Sequence, residues 1–279
     1  MSAPTFASAA GGASRDGRVL LHVRLVANET EKGLRLWRRR RSMTVTAALA
    51  QGVVYLAVSL FIGGGHVVRP VMVLTLPALL ASVVAVTAAL GGSGGIAEEV
   101  NAGTLDQSQI GLTLPELAVV GRLAALAMEG VVVAVVLGVI FALGFDLRFH
   151  LTLAALVPAL LAIAAASGYG LVITGLTVRL TSIGAITHVA NMAVQFFGGM
   201  LVPVSLFPSG LEVFARFLPI TLAVQVLDAT LAGKALGATW TEGTLPLLVA
   251  YAAGSLGLGM VIYSLNVRRA RREGGLSPR

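Results

Sequence analysis

Six stretches of the chain are apolar over about 20 residues or more, the length an α-helix needs to cross a bilayer core, and the charged residues gather between them. They cover 43–64, 70–90, 120–145, 151–178, 183–206 and 244–265. Each is read as a membrane-spanning helix. The segment 211–232 is long enough to be a seventh, but Glu212, Arg216 and Asp228 interrupt it and Pro219 breaks it. It is read as short re-entrant helices at the outer interface. Ahead of the first span, Val19, Val23, Val26, Leu34 and Trp37 recur at helical spacing, with Arg18, His22, Asn28, Glu31, Arg35 and Arg38 on the other faces. This predicts an amphipathic helix over 19–42 lying along the headgroups. The same arginines also fit a simple positive stop, and the two readings are compatible. Residues 1–18, rich in Ala, Gly and Ser, lack the compact apolar core of a cleavable signal and read as a disordered tail. The transmembrane domain is then 43–267, with a basic tail over 268–279, and no internal repeat divides it.

Charge fixes the orientation. Nine basic residues precede Met43, and Arg268, Arg269, Arg271, Arg272 and Arg279 follow the last span. An even number of spans puts both groups on one side, as the positive-inside rule requires. Arg122 and Arg179 join them there, and only Arg69, Arg148, Arg216 and Lys234 lie outside. Both termini are expected in the cytoplasm of a bacterial cell. The net charge of +7 therefore reflects membrane topology and does not point to a nucleic-acid partner. With 56% hydrophobic and 12% charged residues, water is not the main solvent of the surface. The chain has no cysteine, and His22, His66, His150 and His188 are dispersed. No disulfide framework or metal site is expected.

Two loops carry more specific signals. Residues 91–126 join the second and third spans on the cytoplasmic side; Glu98 and Glu99 are followed by Gly103, Thr104, Leu105, Asp106 and Gln107, then by Pro115 and Gly121-Arg122. Thr113-Leu-Pro-Glu116 is a capping box that starts the third span, with Pro115 in its first turn. The outer segment 198–233 carries Pro203, Ser205, Pro208, Leu218, Pro219 and Thr221 in a Gly-rich helix end, a turn and a Leu-Pro-X-Thr element. In order and topology, these motifs resemble the ABC-2-type permeases from about Val19 to Arg272. Leu114, inserted between Thr113 and Pro115, is a small departure.

The resemblance implies an all-α integral membrane fold: six spans, an N-terminal interfacial helix, a cytoplasmic coupling helix and short extracellular re-entrant helices. It also implies a half-transporter that works with separate ABC ATPase subunits and a second permease copy or paralogue, with Glu98 to Gln107 docking on the ATPase. The alternative for Glu98 and Glu99 is that they are merely solvated. ATP and Mg would sit on the partner subunit, and no cofactor is expected here. The residues agree, because a P-loop needs Gly-X4-Gly-Lys-Ser/Thr. The sole Gly-Lys, Gly233-Lys234, is followed by Ala235, and Asp228 stands where the first glycine belongs. The expected activity is efflux of an amphipathic drug, lipid or lipid-linked glycan.

Inside the spans, Gln51, Tyr55 and Ser59 share one helix face and His188, Asn191 and Gln195 another. Polar groups at membrane depth face protein or water, so these stripes line a pathway or a dimer interface, or they make ordinary interhelical hydrogen bonds. Glu129, near the inner third of its span, either has a function or pairs with Arg122 or Arg179. Apart from Glu129 the spans hold almost no ionisable group, which argues against the alternative class, an ion-coupled secondary transporter. His-Glu-X-X-His is absent from the sequence, and Gly91-Gly-Ser-Gly-Gly95 fits Gly-X-Ser-X-Gly by letter only, since it follows an apolar helical span and not a strand, so a membrane enzyme is not favoured.

Overall fold

A backbone surrounded by lipid must satisfy its own hydrogen bonds, and every regular element among the described residues is helical. The structure is a computed structural model that describes residues 15–101, 115–149, 152–178, 183–216, 218 and 220–272. In chain order the helices are α1 (Arg15–Ile62), α2 (Arg69–Asn101), α3 (Pro115–Gly144), α4 (Leu156–Thr177), α5 (Ile183–Phe197), α6 (Ser209–Arg216), α7 (Thr221–Leu231), α8 (Leu236–Thr241) and α9 (Thr244–Arg272). Single 3-10 turns at Leu153–Ala155 and Val204–Leu206 precede α4 and α6.

Five segments are long and apolar enough to cross a membrane: Thr44–Ile62, Arg69–Glu98, Leu117–Gly144, Leu153–Thr177 and Thr244–Ala270. They coincide with five of the six expected spans. The remaining expectation, 183–206, is helical only over Ile183–Phe197, 15 residues or about 22 Å. Gly198 and Gly199 end it, the latter in a left-handed conformation at φ 90° that glycine alone adopts without strain. Beyond it, α6 and α7 meet at 97°, and the count of spans reaches six if this bent pair is taken as one.

Two boundaries differ from the sequence reading. The expected interfacial helix and first span form one 48-residue helix, α1, because no proline or glycine lies between Leu34 and Gln51 to interrupt it. Helix α2 also runs eleven residues beyond the expected 90, straight through Gly91-Gly-Ser-Gly-Gly95. The first two of those glycines are packing surface, while Gly94 and Gly95 meet nothing within 4 Å. A Cβ at Gly91 would lie 2.3 Å from Leu126 Cδ2, and one at Gly92 would lie 2.1 Å from Thr174 Oγ1.

The helices form a row in the order α1, α3, α2, α4, α9, with α7 set against α2, α4 and α9. Two thirds of the α2 apolar window (67%) is buried, against 22% for α1 and for α9, so α2 is the centre of the row and those two are its edges. Small residues let the neighbours approach closely, as they do in membrane bundles. A Cβ at Gly170 of α4 would come within 2.7 Å of Ala88 Cβ on α2, and one at Gly168 within 2.5 Å of Ser255 Oγ on α9. Ile96, Val119, Leu123, Leu171, Tyr263 and Val267 cluster at one end of the row. The C-terminal arginines therefore follow α9 out of the same end at which α1 lies beside the start of α3.

Candidate functional site

At that end α1 grips the end of α2 and the start of α3, which flank residues 102–114. Toward α3 the contact is tight. Thr30 Oγ1 donates to the Gly121 carbonyl at 3.1 Å, and a Cβ at Gly121 would lie 2.7 Å from the Val26 carbonyl oxygen. Glu29 and Arg122 form an ion pair at 3.7 Å, with side chains only 14% and 27% exposed. Toward α2 the described contact is a single ion pair, in which Arg40 Nη2 donates to Glu98 Oε2; the side chains are 54% and 60% exposed. The hydrogen bond to Glu98 holds the Arg40 pKa above its ordinary value, followed by the charge of Glu98, while burial opposes the rise.

Just inside, Thr44 Oγ1 donates to Glu129 Oε1. Glu129, read from the sequence as functional, as reaching the cytoplasmic interface or as pairing with Arg122 or Arg179, accepts this bond from α1. Glu98 belongs to the last turns of α2. Gly103, Thr104, Leu105, Asp106 and Gln107, together with the side chain of Glu99, lie outside the described residues. Arg179 and the Thr113 end of the capping box lie outside them too, and α3 begins at Pro115.

The other end of α1 meets α2 quite differently. Tyr55 is 1% exposed. Its Oη lies 2.8 Å from Thr75 Oγ1 and donates to the Met72 carbonyl at 3.3 Å. Thr75 in turn donates to the Val71 carbonyl, so the single Tyr55 hydroxyl hydrogen is shared between the Thr75 oxygen and the Met72 carbonyl. The Tyr55 ring meets Phe141 of α3 edge to face at 5.2 Å. Ser59, one turn on, is buried. Gln51, one turn before, buries its Nε2 without a hydrogen-bond partner among the described residues. Thus the Gln51, Tyr55, Ser59 face turns inward on α2 and α3.

The second stripe divides. Asn191 is buried and accepts a hydrogen bond from Tyr169 Oη of α4 at 2.9 Å. Gln195 is half-buried and His188 is exposed. Thr187, which the sequence reading passed over, is also buried on α5, and its hydroxyl, like Asn191 Nδ2, lacks a partner among the described residues.

In the outer segment Pro203 opens the 3-10 turn. The Pro208 carbonyl accepts from the Glu212 amide and starts α6, and Leu218 bridges toward α7 through hydrogen bonds to Ala215 and Thr221. Pro219 is outside the described residues. Phe196, Phe197, Phe207 and Phe214 pack in one aromatic cluster with centroid separations of 5.1 to 6.5 Å, tying the α5 end to α6. Asp228 on α7 buries Oδ1 without a partner among the described residues. No group of three or more potential metal ligands occurs among the described residues.

Sequence reasoning missed Arg40 and Tyr169. Arg40 sat within a run of four arginines that topology already explained, and Tyr169 stands alone in an apolar span. A family model described as ABC-2 type transporter matches residues 29–231. No curated protein and no solved structure matches the chain.

Proposed function

The chain belongs to the ABC-2 type transporter family, and from that premise we propose that it is the permease subunit of an ATP-driven exporter of amphipathic substrates. Permeases of this family normally work with ATP-binding subunits. The chain is a multi-pass membrane protein with several helices able to span the bilayer. The observation that carries the proposal is the match over residues 29–231. It takes in α2, α3 and the loop between them, where the acidic and Gly-Thr-Leu motif lies.

In this reading two permease copies, or this chain and a paralogue, pair with two ATPase subunits. The loop from Glu98 to Gln107 meets the ATPase, and both termini are cytoplasmic. Arg38 to Arg41 and the arginines closing α9 lie at one end of the row, which supports that orientation through the positive-inside rule. An apolar set of span faces with few charges suits drugs, lipids or lipid-linked glycans.

The test is reconstitution in liposomes with an ABC ATP-binding subunit, sought first among the genes beside this one. Hydrolysis stimulated by an amphipathic substrate, together with ATP-dependent export, is the expected result. A chain that never associates with an ATP-binding subunit, or one that transports on an ion gradient alone, removes the reading.

A further inference from the structure

Helix α1 holds the two helices that flank residues 102–114 unequally, the end of α2 being the front leg and the start of α3 the rear leg. The rear leg, at the start of α3, is fixed by backbone contact at Gly121, by the Thr30 hydrogen bond and by the shielded Glu29–Arg122 pair. The front leg, at the end of α2, is held to α1 by Arg40 on Glu98, a pair more than half exposed on both sides. Exposed pairs contribute little and exchange readily with water, whereas small-residue backbone contacts do not. Further out the same two helices are joined by the buried Tyr55, Met72, Thr75 node. Helices α1 and α2 are thus pinned at one end and fastened at the other by a contact that opens easily.

We propose that Arg40 is a positioning residue for energy coupling: with the α2 end packed on α3, α4 and α9 through Ile96, its pair with Glu98 sets the resting distance of α1 from that end, and the pair parts when the ATPase engages the permease. This rests on the ABC-2 permease reading above. It changes the role of Glu98, which acts on α1 within the same chain and not on a groove of the ATPase. One turn inward Thr44 donates to Glu129, a second contact of α1 with α3 that leaves the Arg40–Glu98 pair as the one ion pair between α1 and the α2 end among the described residues.

A charge-swap cycle decides between these partners for Glu98. Wild type, Arg40→Glu, Glu98→Lys and the double swap are compared in liposomes with the ATPase subunit, reading export per ATP hydrolysed. In parallel, spin labels at Ser42→Cys and Gly94→Cys report the α1–α2 distance in the permease without its ATPase. The chain has no native cysteine, and a Cβ at Gly94 meets nothing within 4 Å, so the labels add no background and no clash.

Each single reversal is expected to lower export per ATP about fivefold, the scale of one exposed pair, and to broaden the label distance. The double swap, compared in a Glu129→Gln background so that the carboxylate introduced at position 40 faces no second one, restores both. A swap as defective as Glu98→Lys alone assigns Glu98 to the ATPase and overturns the proposal. Single variants that keep the wild-type distance and coupling overturn it as well. A wild-type complex without ATP-driven export overturns the functional reading and the coupling role together, and is recognised by the failure of the unmodified protein.

Discussion

The two places where α1 meets α2 solve the same problem with opposite chemistry. At the outer junction a tyrosine is buried, its hydroxyl is satisfied by Thr75 and the Met72 carbonyl, and its ring is fixed by Phe141. At the arginine-rich junction two long charged side chains touch in the open. An aromatic side chain held on every face gives a rigid pivot. An exposed ion pair gives orientation at little energetic cost to separate. Helices that must remain assembled and still move relative to each other need one contact of each kind.

The sharpest way to break the comparison is at the pivot. Tyr55→Ala leaves a cavity between three helices and should destabilise the detergent-solubilised protein by about 3 to 5 kcal/mol, read as a large fall in the thermal unfolding midpoint. A midpoint close to wild type would make the outer junction no firmer than the inner one.

Next comes Glu29→Gln, which removes the charge from the shielded pair with Arg122 on the α3 side. A loss of about 1 to 2 kcal/mol is expected, measured by the same unfolding assay at low and high salt. The loss should persist in salt, because a mostly buried pair is poorly screened.

The smallest effect belongs to Arg40→Gln. Its partner is exposed and can turn to water, so stability should fall by less than about 1 kcal/mol. Salt should erase even that difference. If Arg40→Gln cost as much as Glu29→Gln, the contrast between the front and rear legs would fail.

Most of the fold could be read in the sequence because lipid removes alternatives: a long apolar run has to be a helix. The errors fell where composition suggested a break that packing abolished. Gly91 to Gly95 has the look of a flexible linker, yet its first two glycines are where Leu126 and Thr174 come closest to α2. Likewise, the change from charged to apolar residues near Ser42 suggested a bend, while the backbone has no reason to stop being helical there.

The site was legible in part. Tyr55 and Asn191 stood out as polar residues at membrane depth, and both are buried against polar partners. Their partners Thr75 and Tyr169 did not stand out, because a lone hydroxyl in an apolar helix gives no signal until a neighbour is placed beside it. The Arg40 contact spans 58 positions, and no local pattern reports so distant a pairing. Glu98 was recognised as an acid near a loop. What it touches depends on α1, which the pattern had laid flat along the membrane.

The row order α1, α3, α2, α4, α9 also has a bearing on biogenesis. A ribosome delivers α2 before either of its main neighbours exists, so this central helix must first stand in the bilayer among lipids. Its hydroxyls suit that wait: Thr75 donates to the Val71 carbonyl, Ser82 to Leu79 and Ser93 to Leu90, all within the helix itself. None of the three needs a partner from elsewhere to avoid a bare polar group in hydrocarbon. These three hydroxyls of the segment destined for the middle of the protein are therefore satisfied on leaving the translocation channel, whereas Pro77 leaves the Val73 carbonyl without its helical donor. That segment can remain solitary until α3 and α4 arrive to enclose it.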